Sequence, residues 1–92
     1  MAEQPTPRQL NIRAVEQHAR TAIARRLGAG EVDRALLGVE RDGQSIIVRV
    51  NSGGNALAVE PYLRRRGYDA ADAGSNPDGY GCAVRVTIRP VI

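Results

Sequence analysis

The chain is 92 residues long, carries a formal net charge of +3 and contains neither phenylalanine nor tryptophan. That length holds one small domain, whose core must come from Leu, Ile and Val at ~1.5–3 kcal/mol per fully buried side chain. The one cysteine, Cys82, excludes an internal disulfide and a cysteine-built zinc site, and no stretch reaches the ~18–20 apolar residues of a membrane span. No apolar run follows Met1, so no secretory signal is expected and the cytoplasm is the expected compartment.

Residues 1–5 are polar and read as a disordered tail, which leaves 6–92 as a single domain. Thr6-Pro7-Arg8-Gln9 has the form of a capping box with proline at the first helical position. It predicts a helix whose buried face carries Ile12, Val15, Ala19, Ala22 and Ile23, and which Gly28 ends. Arg13 and Arg20 fall on the opposite face, with Glu16 within one turn of both. Residues 29–34 form a connector with room for one helical turn around Asp33. A hairpin follows, Leu36–Arg41 and Gln44–Val50, joined by Asp42-Gly43 as a two-residue type I′ turn. That turn sets Val39 opposite Ile46 and Leu37 opposite Val48, with Leu36, Gly38, Glu40, Ile47 and Arg49 on the other face.

Asn51–Asn55 breaks the strand and opens a second helix capped by Asn55, with Ala56, Val59 and Leu63 buried and Gly67 as the stop. Pro61 lies past the first turn, where it removes a hydrogen bond; the segment reads as a kinked helix rather than an extended piece followed by a short one. Tyr68–Ala73 is a weaker strand, and Gly74–Gly81 is a loop of turn formers. In the last strand Cys82, Val84, Val86 and Ile88 alternate with Ala83, Arg85, Thr87 and Arg89, and Pro90 stops it. The order α-ββ-α-ββ predicts a two-layer α+β sandwich, with two helices on one face of a four-stranded, mainly antiparallel sheet.

All 13 basic positions are arginine. Arginine pairs with phosphate or carboxylate through two parallel hydrogen bonds, although codon bias in a GC-rich genome also excludes lysine. Arg25-Arg26 and Arg64-Arg65-Arg66 precede helix-ending glycines, where each gains ~0.3–1 kcal/mol from the helix C-terminus. Arg49, Arg85 and Arg89 are assigned to the open sheet face as candidate contacts to a nucleic-acid backbone, flanked by Arg64 and Arg65. No tyrosine shares that face in the strong strands, so base stacking is not expected there.

Leu36 and Ile47 are expected as an exposed apolar patch on the same face. They support the alternative reading, a protein-interaction or self-associating module. Ser52, Gly53, Gly54 and Asn55 form a weak anion-binding candidate, a glycine turn before a helix, without the P-loop or dinucleotide spacing. His18 and Cys82 have no visible catalytic partner, and alternation sends Asp69 and Asp72 to opposite faces, away from a shared metal. The sequence therefore predicts a small non-enzymatic binding module without cofactor or metal.

Overall fold

In the computed structural model, which describes residues 9–89, helix α1 (Ile12–Leu27) leads through a single 3-10 turn into the short helix α2 (Val32–Ala35). The strands β1 (Leu36–Asp42) and β2 (Ser45–Val50) follow, then helix α3 (Gly53–Arg65) and the strands β3 (Tyr68–Ser75) and β4 (Cys82–Ile88). The strands form one antiparallel sheet in the order β1-β2-β4-β3. Exchanging the two α-β-β halves reproduces this order read backwards, so the domain is built as two similar units whose inner strands meet. The expected two-layer α+β architecture is the one observed. The expected tail (residues 1–5) and the Pro90 stop lie outside the described residues.

Val15, Ala19 and Ile23 of α1, Val59 and Leu63 of α3, and Ile46, Val48, Val50, Val84 and Val86 of the inner strands share one core. The helix spacing and the strand alternation both predicted these positions, because burial on one side is what imposes the two periods. The helix start differs. Thr6, Pro7 and Arg8 lie outside the described residues, Gln9 stays outside the helix, and Asn11 is the cap. Its Oδ1 accepts from the backbone N–H of Arg13 at 2.9 Å and of Ala14 at 3.1 Å, satisfying two donors that a helix end leaves open.

The hairpin register is shifted from the expected one. Asp42 pairs with Ser45, so Gly43 and Gln44 make the turn, and Val39 faces Val48 rather than Ile46. A type I′ turn on Asp42-Gly43 would place Asp42 at positive φ, whereas only Gly43 has it there, at 62°. A positive φ at the first turn position alone is the type II′ form, which wants glycine there. The slip moves the pairing by two residues, so Val39 and Val48 keep their shared face.

A bulge between Leu36 and Gly38 does change faces. Leu36 pairs with Val50 and packs against the helix-side core, while Leu37 is the extra residue and is 44% exposed. This reverses the expected placing of Leu36 and Leu37.

Helix α3 starts earlier than expected, with Ser52 rather than Asn55 as its cap, and it is continuous through Pro61. Proline there leaves the Leu57 carbonyl without its i+4 donor. Leu57 is 72% exposed, so water can serve that carbonyl and the break is tolerated.

Candidate polyanion-binding surface

The sheet face away from the helices is less open than its position suggests. Ile47 lies on it, between Glu40 on β1 and Arg85 on β4, yet is only 5% exposed. Ion pairs lie over this surface: Arg49 with Glu40, and Arg85 with Asp42 at 3.3 Å. Pro77, from the loop between β3 and β4, lines the same hollow as Ile47 and Arg49. The expected apolar patch of Leu36 and Ile47 is therefore absent: Leu36 belongs to the other face, and Ile47 is covered.

Asn76, which sequence reasoning took only as a turn former, fastens this loop. The residue is 5% exposed; its Nδ2 donates to the carbonyls of Val50 at 3.3 Å and Tyr80 at 2.8 Å, and Oδ1 accepts from Arg49 Nη1 at 3.1 Å. Arg49 is thus held by one carboxylate and one amide. The other sheet arginine, Arg89, pairs with Asp69 at 3.6 Å and donates to the carbonyls of Arg64 and Tyr68, each at 3.1 Å. Arg64 pairs with Glu60 and donates to the Ala70 carbonyl at 2.9 Å. Of the five arginines assigned to nucleic acid, four are neutralised by carboxylates. Arg65 has none within 4.0 Å among the described residues.

The positive charge lies on the helix layer instead. Helices α1 and α3 with the cap residue Arg66 hold seven arginines against Glu16 and Glu60, while the rest of residues 9–89 holds five arginines against seven carboxylates. Six described arginines have no carboxylate of a described residue within 4.0 Å: Arg13, Arg25, Arg26, Arg41, Arg65 and Arg66. All but Arg41, which donates to the Leu10 carbonyl at 2.8 Å, belong to this layer.

Helix packing brings the two arginine clusters together. Arg26 at the end of α1 donates to Asn55 at the start of α3 at 3.2 Å, while His18 in mid-α1 meets Tyr62 near the end of α3, so the helices run antiparallel. Tyr62 is 6% exposed, and the guanidiniums of Arg25 and Arg66 lie 5.3 and 4.7 Å from its ring centre. Arg66 also donates to the Tyr62 hydroxyl at 2.9 Å. The His18 ring lies 5.9 Å from both Tyr62 and Tyr68, and burial, with the Arg66 charge second, lowers its pKa below the ordinary histidine value. Only the folded chain reveals this convergence; the sequence shows the two clusters but not that one ring receives both.

The remaining candidates are occupied locally. In the Ser52–Asn55 loop, Ser52 Oγ accepts from the Asn55 N–H at 3.2 Å, and the Asn55 amide is shared between Asn51 and Arg26. A side chain at Gly54 would run into the Arg26 guanidinium, and Gly53 lies against Cys82 Sγ. Cys82 therefore sits at the first turn of α3 and His18 beside its last turns, about 13 Å apart along the helix at ~1.5 Å per residue, too far for a nucleophile–base pair. Asp72 and Asp78 accept from the N–H groups of Gly74 and Tyr80, two residues on, and no group of three metal-ligating side chains occurs among the described residues. No described helix is long and apolar enough to cross a membrane. Compared with known proteins, the chain matches no family model, no curated protein and no solved structure.

Proposed function

We infer that the protein is a small non-enzymatic module that binds the phosphate backbone of a nucleic acid, and that it does so through its helix layer. One observation carries this reading: the helices hold the chain's positive excess, in arginines that no described carboxylate neutralises. The sheet face, with Arg49, Arg85 and Arg89 set against Glu40, Asp42 and Asp69, has no net charge to attract a polyanion. Helix α1 is 16 residues long, about 24 Å at ~1.5 Å per residue, so its cations span several phosphates of an extended strand. Binding through such contacts releases condensed counterions. With about four phosphates engaged, raising salt from 50 to 200 mM should weaken it roughly 10²-fold. Titrating labelled single- and double-stranded oligonucleotides at those two salt concentrations tests the reading, and no binding at the lower one ends it.

A protein-interaction module is the second reading, now favoured by Leu37 rather than by Leu36 and Ile47. Leu37 is exposed on the edge strand β1 and shares a hollow with Pro77 and Arg49. A stable dimer in light scattering that Leu37→Glu dissociates would support it; a monomer at all concentrations would remove self-association.

A further inference from the structure

Resting on the backbone-binding reading above, we propose that the Arg25–Tyr62–Arg66 cluster, in the groove between α1 and α3, is a specific subsite that clamps one phosphate group between two guanidiniums. Two like charges are gathered on one buried ring, and neither has a carboxylate within 4.0 Å among the described residues. Charge at a helix end explains one arginine at each terminus; it does not require both to meet on Tyr62. Contact with a fixed ring restrains each guanidinium, so less side-chain entropy is lost when a ligand arrives. Arg66 spends one donor on the Tyr62 hydroxyl and keeps its others, while Arg25 makes no hydrogen bond to a described residue. Phosphate offers several oxygens in the geometry that paired guanidinium forks match. A phosphate rather than a carboxylate is favoured because Arg26 and Arg65, next in sequence to Arg25 and Arg66 and without a described carboxylate partner, add the further cations that a repeating anion requires.

His18 is a built-in reporter. It is the chain's single histidine, so its ring signals in an NMR spectrum need no assignment. The charged group facing it is Arg66, and the other titratable groups against it are the neutral phenols of Tyr62 on α3 and Tyr68 on β3. An anion seated on Arg66 offsets that residue's charge and moves the histidine pKa upward.

The experiment records the His18 titration and the binding affinity together, with a short oligothymidylate, inorganic phosphate and polyglutamate as separate ligands. The proposal expects the oligonucleotide to raise the His18 pKa. Arg25→Met and Arg66→Met, which keep the apolar stems, should each bind roughly tenfold more weakly, flatten the salt slope by about one unit and lose the His18 response. Arg85→Met on the sheet should bind like the unaltered chain. A His18 shift with inorganic phosphate as well assigns recognition to the phosphate group itself. If the oligonucleotide binds but His18 does not move and both variants bind normally, this subsite is wrong while the backbone reading stands. If no oligonucleotide binds at low salt yet inorganic phosphate shifts His18, the backbone reading fails and the subsite survives. A response to polyglutamate alone overturns both in favour of an acidic protein partner. Variants that unfold by circular dichroism are replaced by Tyr62→Phe, which removes only the hydroxyl anchor of Arg66 and should reduce the His18 response.

Discussion

Replacing Asn76 by alanine should unfasten the β3–β4 loop and destabilise the whole domain by about 2–4 kcal/mol. The amide makes three hydrogen bonds. Loss of the bond to Tyr80, an exposed residue, costs ~0.5–1.5 kcal/mol because water replaces it. The Val50 carbonyl belongs to a fully buried residue, so water does not replace the lost donor and its removal costs ~1–3 kcal/mol. Arg49 keeps Glu40 and its access to solvent, so its loss is at the low end for a charged donor. For a domain of this size each kcal/mol lowers Tm by ~4–8 °C, so a fall of roughly 10–30 °C is expected. Thermal and urea unfolding followed by far-UV circular dichroism measure it without a tryptophan. Asn76→Asp separates donor from volume: it keeps an acceptor for Arg49 but sets carboxylate oxygens against two carbonyls, and should cost at least as much as alanine. A loss below about 1 kcal/mol for both variants would show that the amide does not hold the loop.

Three further outcomes follow from the same geometry. Pro61→Ala should raise stability by about 1–3 kcal/mol, since it restores a donor to the Leu57 carbonyl; lower stability in urea would show that the helix needs the proline. Gly81→Ala should destabilise by more than about 2 kcal/mol, because Gly81 has φ 77° and an added Cβ would press on the Val50 backbone and come within 2.9 Å of Asn51 Cα. His18 is less easily protonated in the folded chain than in the unfolded one. The unfolded state therefore takes up the proton first, and stability should decline as pH falls through about 6.5 toward the lower folded value, then level off with respect to this group. Urea unfolding across pH 5–8 should show that decline for the unaltered chain and lose it in His18→Gln.

Much of the fold was legible because burial writes itself into the sequence. Val84, Val86 and Ile88 alternate with Arg85 and Thr87, and Val15, Ala19, Ala22 and Ile23 recur at helical spacing, so both layers are written in the sequence. What escaped was set by single-residue geometry. The interchange of Leu36 and Leu37 depends on a bulge whose one local sign is Gly38, a glycine inside a strand. The turn slipped because Asp42 does not take the positive φ that its expected role demanded. Thr6 and Asn11 are both good caps by composition, and helix α1 uses the second.

The candidate site was less legible still, for an electrostatic reason. Whether an arginine is free depends on which carboxylate lies diagonal to it, and therefore on register. Glu40 reaches Arg49 from beside Ile47, and Asp42 reaches Arg85 from two strands away. Arg25 and Arg66 are 41 positions apart, and only antiparallel helix packing places them on Tyr62.

The most direct test removes two positive charges from one layer at a time and reads oligonucleotide affinity against salt. Arg13→Gln with Arg65→Gln takes them from the helix layer; Arg85→Gln with Arg89→Gln takes the same formal charge from the sheet. At about 0.1 M salt the Debye length is ~10 Å, so charges on the far face are largely screened. The helix-layer pair should bind at least tenfold more weakly, with the log–log salt slope flatter by about two units, while the sheet pair keeps the unaltered slope. Equal losses from both pairs, or a loss confined to the sheet pair, would contradict the assignment of the binding surface to the helices.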